Sequence, residues 1–297
     1  EYGDMQLISE AYSLLKNRKG LDNDAMAVVF DEWNGGELDS FLIEITANIL
    51  RFRDEDGKPL LDKILDVAGQ KGTGKWSAIA AMDENDPLTL ITEAVYARLL
   101  SALYPERIKA ASLYSGKLKV ESGKLSDNAQ LSIEDVRQAL YAAKLISYAQ
   151  GFSLLRHASE HYGWDLDYGT IARIWRKGCI IRSVFLQKIT EAYRKDPDLE
   201  NLLFDDFFHT KIQEALPAWR RVVAEGALSG VALPAMSSAL NYFDGLRTLY
   251  SAANMIQAQR DYFGAHTYER TDRERGHFFH TNWTGEGGNT VSGTYSV

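Results

Sequence analysis

Along most of the chain, apolar residues recur three and four positions apart, the spacing of a helix with one buried face. Met5, Ile8, Tyr12 and Leu15 set the first run, which is already periodic at residue 1 and is stopped near Lys19 by Gly20. Leu21-Asp22-Asn23 opens a second run through Met26, Val29, Phe30 and Trp33, and Asn34-Gly35-Gly36 turns the chain. Residues 38–52, with Phe41, Leu42, Ile45 and Ile49, are apolar enough for a helix buried on most faces, and 53–59 read as a polar turn. Leu60, Leu61, Ile64, Leu65 and Ala68 continue the helical spacing into a glycine-rich stretch. A helix is predicted from Trp76 to Met82, and Asp86-Pro87 opens the one carrying Glu93 and Arg98. Residues 104–130, with Gly116, Gly123 and Asp127-Asn128 as loop signals, have no assignable period.

Ser132-Ile133-Glu134-Asp135 resembles a capping box and opens a run to about His161. Some thirty helical residues span roughly 45 Å. Leu145, Ile146, Tyr148, Phe152, Leu154 and Leu155 make that run apolar nearly all round, so it is predicted to pass through the centre of the molecule. Asp196-Pro197 is predicted to start a helix through Leu202, Leu203, Phe207 and Ile212, Pro217-Ala218-Trp219 the next, and Pro234 the last strong one. From Gly264 the pattern gives way to Thr, Gly, Arg and aromatic residues. Such a tail is too polar to fold on itself, but Phe278, Phe279 and Trp283 are anchors that would dock it.

The chain also echoes itself. Gly20, Trp33, Gly36, Phe41 and Ile45-Thr46 have counterparts in Gly163, Trp175, Gly178, Phe185 and Ile189-Thr190, at a shift of 142 to 144 residues. The expected architecture is therefore an all-α body of two duplicated helical halves, each opened by a long helix, over 1–245, followed by a C-terminal helix and extended tail over 246–297.

Composition narrows the function classes. The 297 residues are 45% apolar and 25% charged, ordinary for a globular protein. A net charge of −8 argues against nonspecific nucleic-acid binding, so an anionic ligand must meet a local basic cluster. No apolar run approaches the ~20 residues that span a bilayer and no basic-then-apolar leader opens the chain. The single cysteine, Cys179, suits a reducing compartment, and the expectation is a cytoplasmic protein. The absence of an initiator Met before an already helical pattern leads us to expect that part of the working protein precedes Glu1.

Candidate chemistry centres on Ala68-Gly69-Gln70-Lys71-Gly72-Thr73-Gly74-Lys75-Trp76. Glycines let backbone N–H groups approach an anion closely, and the lysines and the hydroxyl add donors, which is phosphate chemistry. Residues 69–75 fit the first places of a nucleotide P-loop, but Trp76 stands where a Ser or Thr must hold magnesium, and the preceding spacing is helical rather than that of a buried strand. An anion-binding loop after a helix remains, with a glycine-rich helix C-cap and solvated lysines as the plain alternative. His157 and His161 have metal-compatible spacing but lack the HExxH pattern and read as surface residues. Asp205-Asp206 reads as a helix face, Cys179 as packing, and Asn282-Trp283-Thr284 as a chance glycosylation match.

Four strings carry a resemblance: Leu38-Asp39-Ser40-Phe41-Leu42-Ile43-Glu44-Ile45-Thr46, residues 69–76, Ile256-Gln257-Ala258-Gln259-Arg260-Asp261-Tyr262-Phe263-Gly264-Ala265-His266-Thr267-Tyr268-Glu269, and His280-Thr281-Asn282-Trp283-Thr284-Gly285. From Glu1 to about Gly285 the chain resembles the C-terminal portion of the 6-phosphogluconate dehydrogenase family, the decarboxylating enzymes of the pentose phosphate pathway. The resemblance implies a homodimer whose subunits join a Rossmann domain, a duplicated helical domain and a tail that threads the partner. This chain would hold the last two. It has no Gly-x-Gly-x-x-Gly after a strand, so NADP would be bound mainly by a domain N-terminal to Glu1, as would the family's catalytic lysine, histidine and asparagine.

The implied reaction oxidises the C3 hydroxyl of 6-phosphogluconate with NADP, releases CO2 and returns the enediol to ribulose 5-phosphate, with no metal. By resemblance Glu1 is the acid that protonates C1 of the enediol. That role asks a carboxyl to hold a proton near neutral pH, which burial and the substrate's own negative charge favour. Tyr2, Lys71, Thr73 and Arg98 would surround the phosphate, with Arg260 and His266 of the partner subunit. The arginines would orient it through paired hydrogen bonds, and lysine would act as a point charge. The isolated chain is expected not to turn over. A non-catalytic helical dimerisation module and a related β-hydroxyacid dehydrogenase are the competing readings, and neither explains why so many cationic positions are present.

Overall fold

The structure, a computed structural model that describes residues 1–114 and 131–285, contains twelve α-helices among those residues. In chain order they are α1 (Tyr2–Asn17), α2 (Asn23–Asn34), α3 (Phe41–Arg51), α4 (Thr73–Asp83), α5 (Thr89–Ala102), α6 (Tyr104–Tyr114), α7 (Ile133–Tyr162), α8 (Tyr168–Trp175), α9 (Leu186–Lys195), α10 (Asp206–Ser229), α11 (Pro234–Leu246) and α12 (Ala253–Gly264). The one sheet among the described residues is a two-residue antiparallel pair, β1 (Tyr268–Glu269) against β2 (Phe278–Phe279). The all-α expectation holds.

Helix α7 begins where its sequence says it should. Ser132 Oγ accepts from the Asp135 N–H at 2.9 Å while the Asp135 carboxylate accepts from the Ser132 N–H at 2.8 Å, which completes the capping box, and Gly163 ends the helix in a left-handed turn. Its residues from Ala139 to Gln150 are all buried, with α10 and α1 packed along it. That accounts for a helix apolar on nearly every side.

The internal echo is visible as geometry. α2 packs on α3 and α8 on α9, and the two pairs meet at one antiparallel bridge, Ser40 opposite Ser183. The Phe41 N–H donates to the Arg182 carbonyl at 3.1 Å and the Val184 N–H to the Asp39 carbonyl at 3.0 Å. Each of these bonds is the counterpart of the other under the sequence shift, so the halves join about a local two-fold relation.

Four expectations from periodicity need correction. Residues 60–68 form not a helix but a single 3-10 turn, Leu60–Lys63, followed by irregular chain. There the backbone is satisfied by side chains from elsewhere: Ser101 Oγ accepts from the Ala68 N–H at 2.9 Å and Arg107 donates to the Asp66 carbonyl at 3.1 Å, with Ile64 and Leu65 left exposed. Second, α4 starts at Thr73, so the end of the glycine stretch is the first turn of a helix and not a cap on the preceding one. Third, residues 104–114 of the unassigned segment are α6, while 115–130 lie outside the described residues.

Fourth, the helix expected from Asp196-Pro197 starts at Asp206, where the Asp205 side chain accepts from the Phe207 N–H at 3.0 Å, and it runs straight through Pro217. Phe208, Ile212, Ala215, Trp219 and Val222 are buried at helical spacing on both sides of that proline. Their burial outweighs the one main-chain hydrogen bond that proline removes.

Chain contacts divide the molecule into two units, Glu1–Phe243 and Asp244–Val297. Within the first, α1 is tied to the start of α11 by Glu10, a buried carboxylate that accepts from the Ala235 N–H at 2.7 Å and the Met236 N–H at 2.9 Å. Burial pushes its pKa up to about 7, although hydrogen bonds from Met236, Gln6 and Ala235 oppose the shift. The folded chain thus keeps a proton that the unfolded chain, with its ordinary value of 4.5, has released. Stability from this group falls as pH rises from 4.5 to 7, by about 3 kcal/mol. Urea denaturation of the wild type and Glu10→Gln at pH 5 and pH 8 should show that extra loss in the wild type alone; parallel losses would refute it.

In the second unit, the chain folds back onto α12. Asp261, wholly buried, accepts from Nδ1 of His280 at 2.8 Å, the Thr281 N–H at 3.0 Å and Nε1 of Trp283 at 2.8 Å. Trp283 therefore anchors the tail through its indole N–H as well as its ring.

Candidate functional site

The first turn of α1 delivers Tyr2 into the body, where its side chain is buried. Two elements distant in sequence close on that ring. Arg98, half-buried on α5, lays its guanidinium over one face, Cζ standing 3.6 Å from the ring centroid. Gly74, in the first turn of α4, approaches so closely that a Cβ there would sit 2.6 Å from two ring carbons. Position 74 therefore admits only glycine if the ring is to stay where it is.

Arg98 also links α5 to the glycine stretch, with Nη1 3.4 Å from the Gly69 carbonyl and Nη2 3.4 Å from the Met5 sulfur. These are long, weak contacts. A guanidinium has five N–H groups, and the rest of these have no hydrogen-bond partner among the described residues, so the stack holds the cation in place and leaves donors for a ligand.

Lys71 stands two residues beyond the Gly69 carbonyl, exposed, outside regular secondary structure. Gly72 then adopts a left-handed conformation, φ 99°, and caps α4 without a side-chain hydrogen bond. The leading N–H groups of α4 are thus uncapped, the first turn has no acidic residue, and exposed Thr73 and Lys75 flank them. An uncapped helix start with a hydroxyl and two ammonium groups beside it suits a phosphate. So Arg98 and Gly74 meet on the Tyr2 ring, Thr73 directly precedes Gly74, and Lys71 lies two residues past the Gly69 carbonyl that Arg98 touches. Glu1 is the N-cap residue of α1, exposed, one position from Tyr2.

Arg260 and His266 belong to the second unit, at the end of α12 and just past it. Arg260 Nη1 donates to Gln257 Oε1 at 3.0 Å, and the His266 ring lies against Gly264 after a left-handed turn at Ala265. The structure brings these two together within their own unit.

A family model described as 6-phosphogluconate dehydrogenase, C-terminal domain, matches residues 1–283. The chain belongs to the 6-phosphogluconate dehydrogenase family. Over its whole length it is 55% identical to the decarboxylating 6-phosphogluconate dehydrogenase of Rattus norvegicus, covering 61% of that protein, and 55% identical to that of Homo sapiens, again covering 61%. It is 56% identical to that of Cunninghamella elegans, covering 60% of it. The solved 6-phosphogluconate dehydrogenase of Plasmodium falciparum, studied apo, with its cofactor NADP+ and with its substrate 6-phosphogluconate, matches with a TM-score of 0.87 and 43% identity over 95% of this chain and 60% of that one. The chain thus spans about three fifths of the length of these relatives.

Membership of the 6-phosphogluconate dehydrogenase family does not by itself show what holds the first turn of α1 in place, and sequence reading passed over it. Lys144, wholly buried on α7, donates to Asp4 Oδ2 at 3.1 Å and to Ser40 Oγ at 3.4 Å. Asp4 Oδ1 is buried with no partner among the described residues. A lysine inside Ala142-Ala143-Lys144-Leu145-Ile146 was the available signal, since a charge in an apolar run needs a buried counter-charge. His161 is exposed, as its sequence reads, and bonds Glu84 at 2.8 Å, whereas His157 is half-buried and bonds Asp86 at 2.7 Å, so the two histidines join α7 to the connection before α5. Among the described residues no group of three or more acidic, histidine or cysteine side chains could hold a metal, and no helix is long and apolar enough to cross a membrane.

Proposed function

We propose that the protein to which this chain belongs converts 6-phosphogluconate to ribulose 5-phosphate and CO2 with reduction of NADP, and that this chain supplies the phosphate-recognition and dimerisation portion. The observation that carries the reading is the stacking of Arg98 on Tyr2 beside the uncapped start of α4. In this reading Arg98 grips the phosphate through N–H groups, Thr73 and the α4 main chain add donors, and Lys71 adds charge. Arg260 and His266 of the partner subunit complete the ring of donors. Residues 1–245 form the substrate-binding body, and 246–297 the arm that reaches the partner.

The residues present do not fit NADP as its main binding site. A dinucleotide cradle needs a glycine-rich turn between a strand and a helix, and the described residues hold only two short strands, both in the C-terminal unit. We assign the cofactor to a domain outside this chain and derive no step through it. Glu1 stands at the entrance of α1, next to the ring on which Arg98 lies, and its role is to deliver a proton to C1 of the enediol after CO2 has left. A phosphate fixed by several cations sets the distance from that carboxyl to C1, which is what positioning contributes to such a step.

The test is to express the chain together with the polypeptide that precedes it and to follow NADPH formation with 6-phosphogluconate. Turnover by the longer protein, and none by residues 1–297 alone, is expected. Equal rates with gluconate, which lacks the phosphate, would refute the phosphate reading, and sedimentation as a monomer would refute the exchange of arms.

A further inference from the structure

Gln257 lies one turn before Arg260 on α12, and its half-buried side chain touches both residues placed at the phosphate from this unit. Its Oε1 accepts from Arg260 Nη1 at 3.0 Å. Its Nε2 donates to the Thr267 carbonyl at 2.6 Å and to the His266 carbonyl at 3.3 Å. The orientation of the amide follows from these partners: reversed, it would set an NH2 against a guanidinium and an oxygen against two carbonyls.

The surrounding backbone is fixed as well. The His266 N–H points back to the Arg260 carbonyl at 3.5 Å, Ala265 is held at φ 50°, and β1 begins two residues after His266. On the next position of α12, Asp261 gathers three donors from the returning tail. Arg260 and His266 are thereby set in one arrangement before any ligand arrives. A long arginine side chain left to itself would have to be ordered on binding, at the expense of affinity.

We infer that Gln257 is a positioning residue for phosphate recognition, its amide coupling the Arg260 guanidinium to the chain at His266 so that the two residues act as one preformed clamp. The inference rests on the reading of Arg260 and His266 given above. Only a side chain with an acceptor and a donor at this length serves: leucine offers neither, and glutamate turns an oxygen toward the carbonyls of His266 and Thr267.

The test uses the longer, active protein. Gln257→Leu should raise KM for 6-phosphogluconate and the inhibition constant of inorganic phosphate together, by about tenfold, as expected for loss of one hydrogen bond to a charged group. kcat and KM for NADP should move less than about twofold. In an Arg260→Ala background most of the Gln257→Leu effect should vanish, because the residue acts through the guanidinium. Gln257→Glu, which keeps the length and volume of the side chain, should show the same split and serves if the leucine variant folds poorly. Equal changes in the 6-phosphogluconate and NADP constants, or full additivity with Arg260→Ala, would overturn the inference while leaving the phosphate site intact. Failure of inorganic phosphate to compete with 6-phosphogluconate in the wild type would overturn both.

Discussion

Replacing Lys144 with methionine is expected to destabilise the helical body by about 3–5 kcal/mol, the cost of leaving a buried partner charge uncompensated. Asp4 would lose its cation while remaining 3% exposed, with one oxygen already lacking a partner among the described residues. Methionine fills most of the volume of lysine, so the loss is electrostatic rather than a cavity. Urea denaturation of residues 1–297 measures it, and the double variant Asp4→Leu with Lys144→Met should recover most of the difference because neither charge then remains. A single variant as stable as the wild type would show that Asp4 is relieved in some other way.

The second large effect is on the chemistry. Arg98→Ala in the longer protein should lower kcat/KM for 6-phosphogluconate roughly a hundredfold or more, in the range found when one member of a buried charge pair is truncated. KM for NADP should change little. Arg98→Lys should rescue only part of the loss, since an ammonium cannot lie flat on Tyr2 at 3.6 Å nor present paired donors. Equal losses for substrate and cofactor would remove Arg98 from the phosphate.

What the sequence made legible follows from how local each signal is. Ser132 and Asp135 satisfy each other within one turn, so the start of α7 could be read from four residues. The 142 to 144 residue echo survived because the same junction is used twice. Residues 60–68 misled because their spacing is helical, yet their backbone partners, Ser101 and Arg107, come from more than thirty positions away. Pro217 misled for the same reason, as burial against α7 is invisible from the proline itself.

The site divides likewise. Tyr2, Lys71, Thr73 and Arg98 were marked by residue type and resemblance, and the fold supplies the ring on which Gly74 and Arg98 meet. The supports, Lys144 beneath α1 and Gln257 behind Arg260, were not marked, because each works through partners that only three dimensions bring near.

The bridge between Ser40 and Ser183 limits how such a chain can change length. Phe41 reaches Arg182 while Val184 reaches Asp39, so adding a residue at either crossing would break the pairing of these two hydrogen bonds and displace the start of the helix that follows, α3 or α9. Changes of length at either crossing are therefore expected to cost stability, whereas loops that touch neither can lengthen at little cost.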